Sequence, residues 1–208
     1  MTRGRIPIIC LEESCISRAT EVMVHAFESD PVVEYIFQEN AGDQDQVSVF
    51  FGAGLRYGMA YGEVYTTSDV DGVAVWLGPG NATMSLWGLI RTGVVFAPFK
   101  MKKNVRKRFF EILQFTAEIQ KKYVPGDHWY LLELAVDPAI QGRGIGSALL
   151  GPVLEKADND HLPCYLETFS ERAAGFYERH GFRVVYEDNP LGGVSVCRFM
   201  LREPQGVT

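Results

Sequence analysis

The 208-residue chain has only four cysteines, Cys10, Cys15, Cys164 and Cys197. They lack the short paired spacings and histidine companions of a zinc site, so they read as reduced, buried or incidental thiols. A basic excess is also missing. With 20 Lys and Arg against 26 Asp and Glu the formal charge is −6, which argues against a nucleic-acid partner, because neutralising phosphates takes a basic surface. The basic run Lys100, Lys102, Lys103, Arg106, Lys107 and Arg108 reads as the solvated face of a helix whose apolar positions are Val105, Phe109, Ile112, Ile119 and Tyr123. Long apolar stretches are absent too. The tract from Ala82 to Phe99 is broken by Gly88, Arg91, Gly93 and Pro98, short of a membrane span, and the N-terminus shows no export-type cleavage signature. Cytoplasmic placement without a membrane partner is the expectation. An apolar content of 47% with 12% aromatics excludes general disorder, and the length suits one domain, 1–208.

Glycine is concentrated where it carries information. The run Gln141-Gly142-Arg143-Gly144-Ile145-Gly146-Ser147 lies between a strand-like segment, 128–136, and a helix-like segment, 145–158. The first N–H groups of a helix have no intrahelical acceptor, and the peptide dipoles leave positive charge there, so such a loop suits a phosphate. Arg143 adds a fixed cation beside it. A nucleoside triphosphate loop needs a lysine after its glycines, and none follows. The dinucleotide fingerprint fits less well, because Ser147 stands at its third glycine and Asp137-Pro138-Ala139-Ile140 intervene after the strand.

Periodicity gives the remaining elements. A strand is expected over 6–11, helices over 17–28, 31–38 and 43–61, and a hairpin over 63–68 and 72–77. Mostly helical chain then runs to Pro125-Gly126. Strand 163–169, helix 172–180 and strands 182–188 and 194–201 follow the glycine loop. Gly52, Gly54 and Gly58 weaken the third helix, and Pro152 inside the fourth long one is expected to kink it. Grouped helices and antiparallel hairpins around one parallel pairing imply a mixed α/β sheet.

The string LAVDPAIQGRGIGSALL, followed by YLET and FYERHGF, resembles the acetyl-coenzyme A region of the GNAT superfamily of N-acetyltransferases, particularly the puromycin N-acetyltransferase branch. That resemblance implies a twisted, mostly antiparallel central sheet with helices on both faces, splayed beside the glycine-loop strand. It implies acetyl-coenzyme A as co-substrate, held by Leu134, Ala135 and Val136 along the strand, by Gln141, Gly142, Arg143, Gly144, Ile145, Gly146 and Ser147 at the diphosphate, and by Phe176 and Tyr177. Tyr177 would protonate the departing thiolate, and Val136 N–H would face the oxyanion. Glu133 is the candidate base, and a structural ion pair is its alternative; as a charged residue between two leucines it is expected to point opposite Leu132 and Leu134. Glu167 is the other candidate carboxylate, and His128 the one histidine placed for a catalytic test. Where many relatives carry asparagine this chain has Ala173, which removes one side-chain contact.

The expected activity is acetyl transfer to the amine of a small molecule. An acyl-coenzyme A sensor without turnover and an enzyme acting on a protein amine are the alternatives. Phe27, Tyr35, Trp76, Trp87 and Phe96 are candidates for an aromatic acceptor pocket, and Glu28, Asp30 and Glu34 for attraction of a cationic amine. No metal is called for, and the oligomeric state, monomer or homodimer, is left open.

Overall fold

The structure, a computed structural model, describes residues 6–38, 43–84, 86–92, 100–190 and 195–206. Seven strands form one sheet in the order β1-β2-β3-β4-β5-β7-β6. They are β1 (Ile8–Cys10), β2 (Gly62–Thr67), β3 (Gly72–Leu77), β4 (Trp129–Val136), β5 (Cys164–Thr168), β6 (Arg183–Asp188) and β7 (Cys197–Arg202). Every pairing is antiparallel except β4 with β5. The helices are α1 (Ile16–Ala26), α2 (Pro31–Phe37), α3 (Gln44–Tyr61), α4 (Leu86–Arg91), α5 (Lys103–Tyr123), α6 (Ile145–Asn159) and α7 (Glu171–Glu178). This is the expected mixed α/β class. The aromatic candidate Phe96 lies outside the described residues.

Helices cover both faces of the sheet. On one face α1 and α3 bury Val22, Met23, Phe51 and Leu55 against Val73, Val75 and Ala135. On the other, α6 and α7 bury Leu149, Leu150, Val153 and Tyr177 against Trp76, Leu131 and Leu166. Covering both sides explains why β3 is buried along its whole length. At α3 the glycines expected to weaken the helix instead seat it: a Cβ on Gly58 would collide with Val75 and Val64 of the sheet beneath. Close approach outweighs helix propensity here, a difference of about 1 kcal/mol per glycine. The Pro152 expectation meets a helix that continues from Ile145 to Asn159; nothing in the packing accounts for that proline.

Two features open the sheet at its centre. Opposite the Val75–Trp76 step, β4 carries an extra residue, Leu132, because Glu133 pairs with Val75 and Leu131 with Trp76. Such a bulge bends and twists its strand. Past it, β4 separates from β5: only Trp129 with Cys164 and Tyr130 with Tyr165 pair, while β5 remains paired to β7 through Thr168. Among the described residues, the β5-facing edge of β4 beyond Tyr130 has no strand partner. The bulge also corrects the expected alternation. Leu132 packs with the α1/α3 core, on the same side as Glu133, whose carboxyl meets Gly54 of α3. Only Leu134 points the opposite way, into the α6 layer.

Candidate active site

A groove of about 590 Å³ runs into this split. The α1–α2 junction (Ala26, Phe27, Ser29, Asp30 and Pro31) and the end of β4 (Leu134 and Val136) line it from one side. Opposite them stand the glycine loop and, from α7 and its N-cap, Ser170, Ala173, Phe176 and Tyr177. Sequence-distant elements thus meet at one place.

The loop has the geometry a phosphate needs. Gly142 and Gly144 take φ of 77° and 92°, a left-handed backbone that only glycine adopts without strain. Gly144 caps α6, and the first helical bond runs from Ala148 N–H to Gly144 O at 3.0 Å. The N–H groups of Ile145, Gly146 and Ser147 therefore precede the intrahelical ladder, and among the described residues no side chain caps them. Nothing lies within 4 Å of where a Cβ on Gly142 or Gly144 would project, whereas one on Gly146 would press on Phe176 Cζ at 3.3 Å. Gly146 is thus a packing requirement between α6 and α7, and the other two keep the mouth open. Such a cradle offers an anion unpartnered N–H donors at an open mouth.

The remaining loop residues divide. Gln141 is exposed, and its Nε2 donates to Val136 O at 3.1 Å, tying the loop to the end of β4. Arg143 is exposed and stands apart from the residues lining the groove. Arg172 and Arg179 of α7 line it instead. Sequence reasoning missed both; the signal available was their flanking of Phe176-Tyr177 at helical spacing. Ala135 is buried in the α1/α3 core, leaving its backbone as the available contact.

Tyr177 is 8% exposed and lies between Phe176 and Phe182, with edge-on ring contacts at 5.3 and 5.8 Å. Among the described residues its hydroxyl makes no hydrogen bond, and the residue borders the groove. Burial, and then the charge of Asp30, hold its phenol well above the ordinary value. Its proton is therefore held more tightly than that of a free phenol.

Glu133 lies outside the groove lining, on the α3 face. Its carboxyl rests over Gly54, where a Cβ would come within 2.7 Å of Oε1. Oε2 is sealed from solvent with no donor, and desolvation raises the pKa to about 8. The alternative of a structural ion pair finds no cation beside it among the described residues. Gly54 was absent from the sequence candidates, and it is what leaves room for this side chain. Gly54→Ala is expected to keep the fold, since alanine favours helix by about 1 kcal/mol, but to displace the Glu133 carboxyl. A lower kcat with unchanged acetyl-coenzyme A affinity would register that displacement.

Glu167 is held differently. Tyr130 donates its hydroxyl to Oε1 at 2.5 Å, while burial raises the carboxyl to about 7. His128 is 5% exposed, with Nδ1 2.7 Å from Gly126 O and Nε2 3.1 Å from Gln120 Nε2. Its neutral form, favoured by desolvation, satisfies both contacts by donating from Nδ1 and accepting at Nε2. That arrangement anchors the end of α5 to the start of β4. Of the aromatic candidates, Phe27 lines the groove and stacks on Phe51 at 5.1 Å. Trp76 is completely buried, Tyr35 packs partly buried against the core, and Trp87 is 76% exposed. Glu28 and Glu34 are exposed, and Asp30 is half-buried.

The splayed sheet and glycine cradle define an acyltransferase of the GNAT type. Residues 109–184 match the acetyltransferase (GNAT) domain family. Across 94% of its length, and 82% of the relative's, the chain is 30% identical to an uncharacterized N-acetyltransferase of Schizosaccharomyces pombe. The chain belongs to the GNAT family of N-acetyltransferases, whose general co-substrate is acetyl-coenzyme A. Solved structures share the fold. A Corynebacterium glutamicum protein, described as histone acetyltransferase HPA2 and related acetyltransferase, superposes with a TM-score of 0.70 at 20% identity, covering 98% of this chain and 99% of that one. Arylalkylamine N-acetyltransferase 2 from Aedes aegypti gives 0.61 at 12% identity over 97% and 100%. An agmatine N-acetyltransferase gives 0.61 at 13% identity over 96% and 100%. No helix among the described residues is long and apolar enough to cross a membrane.

Proposed function

We propose that this protein, as one acyltransferase unit over residues 1–208, transfers acetyl from acetyl-coenzyme A to the amine of a small molecule. The observation that carries the reading is the split itself: uncapped N–H groups of Ile145, Gly146 and Ser147 and the unbonded hydroxyl of Tyr177 border one groove beside the free edge of β4. Structural neighbours named for arylalkylamine and agmatine acetylation are consistent with a small acceptor. Kinship with the puromycin N-acetyltransferase branch rests on the loop, YLET and FYERHGF strings.

In this proposal the loop N–H groups, with Arg172 and Arg179, hold the phosphates. Backbone amides of Leu134, Ala135 and Val136 offer strand-like hydrogen bonds to the pantetheine arm, and Phe176 packs beside it. When bound, acetyl-coenzyme A supplies the thioester carbonyl and the leaving sulfur. In this reading Val136 N–H serves the oxyanion and Tyr177 Oη donates the proton to sulfur, while Glu133, outside the groove lining, takes the acceptor's proton through an intervening water.

Glu133 sets the pH dependence. A base works ionised, so kcat/KM for the amine should rise with pH through about 8, and Glu133→Gln should remove that limb. Stability should run the other way. The folded-state pKa lies above the ordinary 4.5, so the contribution is full below 4.5 and is lost as pH rises through about 8. Denaturant melts from pH 4 to pH 9 would show a flatter slope in Glu133→Gln. Thiol release against a panel of amines tests the function as a whole. Saturable acetyl-coenzyme A binding without release from any amine would favour the sensor, and release only with a protein acceptor would favour a macromolecular substrate.

A further inference from the structure

Besides the loop N–H groups, Arg172 and Arg179 are cations lining the groove, and Asp30 is the one acidic residue among the described residues that line it. An anionic coenzyme gains nothing from a carboxylate, so Asp30 faces a different ligand. Its position is fixed from below. As the N-cap of α2, it accepts from Val32 N–H at 2.9 Å through Oδ1, and Pro31 at the first helical position holds the backbone for that role. It is half-buried, and among the described residues it has no ion-pair partner. Desolvation raises its pKa, the N–H groups of Val32 and Val33 pull the other way, and the charge of Glu34 adds a smaller upward push. Across the groove it acts electrostatically on Tyr177. A desolvated carboxylate whose donors are the backbone N–H groups of Val32 and Val33, with no cation beside it, is completed by a cation from outside the chain.

We propose that Asp30 is the docking residue for the acceptor's ammonium group, which makes the enzyme selective for amines that are protonated at neutral pH. This rests on the small-molecule acetyltransferase reading above. Asp30 draws the cation toward Tyr177, on which its charge already acts. Glu28 and Glu34, both exposed, flank it and strengthen the field without reaching into the groove.

The test compares a primary alkylamine, cationic at pH 7, with an arylamine of similar size that is neutral there. Asp30→Asn is chosen because asparagine still accepts from Val32 N–H as a helix cap. The variant should raise KM for the alkylamine about tenfold or more, the range of a lost charge-assisted contact. KM for the arylamine and for acetyl-coenzyme A should stay within experimental scatter. Equal losses for both amines would mark a structural role, and no loss for either would mark an idle carboxylate; each overturns the assignment. Wild-type protein provides a second reading that needs no variant. An alkyltrimethylammonium ion should inhibit alkylamine acetylation at about tenfold lower concentration than its neutral tert-butyl isostere, and equal inhibition also overturns the proposal. Turnover of both amines with these null patterns removes only Asp30's role, whereas no thiol release with any amine removes the acetyltransferase reading and the docking role together.

Discussion

Tyr177→Phe is expected to lower kcat by about a hundredfold or more, the lower range of a lost general acid, while acetyl-coenzyme A affinity and stability stay nearly unchanged. The asymmetry follows from the packing. The ring is buried between Phe176 and Phe182, and phenylalanine preserves those contacts. The hydroxyl makes no hydrogen bond among the described residues, so its loss leaves no orphaned partner. What disappears is the one hydroxyl of a tyrosine bordering the groove. Stopped-flow or steady-state thiol release, paired with calorimetric titration of acetyl-coenzyme A, separates the two effects. Equal turnover in both proteins would take Tyr177 out of the mechanism, and a parallel fall in affinity would recast it as a binding residue.

The second large effect belongs to the cradle. Gly144→Arg should raise the acetyl-coenzyme A dissociation constant by about a hundredfold or more, roughly 2.8 kcal/mol, with the fold retained. Crowding at the Cβ is not the cause. A Cβ at this position would meet nothing within 4 Å. The backbone is the obstacle: at φ 92° and ψ 2°, an L-residue costs about 1–2 kcal/mol, and relieving that strain turns the N–H groups of α6 away from the groove. The long side chain then adds its own bulk at the mouth. Calorimetry with acetyl-coenzyme A measures the affinity, and a thermal melt verifies that the protein stays folded. Unchanged affinity would contradict the assignment of this loop to the diphosphate.

Much of the architecture was legible along the chain. Alternation and helical periodicity located each strand and the main helices to within a few residues, because each half-buried element writes its own spacing into the sequence. The glycine loop was readable for a similar reason. Its function depends on residues adjacent in sequence, and its left-handed positions admit few other residue types. Even so, local reasoning misjudged α3. Gly54 and Gly58 looked like weakness because propensity is a single-helix property, while their benefit comes from Glu133 and from the sheet lying against them.

By itself, then, the chain's order of residues determined the elements, the mixed sheet and the left-handed glycine turn before α6, all products of neighbours interacting with neighbours. Tertiary structure alone decided the rest. It separated β4 from β5 past Tyr130, placed Leu132 and Glu133 on one side through a bulge, and buried Trp76 while leaving Phe27 in the groove. It also brought Asp30 from the first quarter of the chain opposite Tyr177 near its end. Register, burial and electrostatic pairing depend on which distant segments come into contact, and that information is distributed over the whole fold.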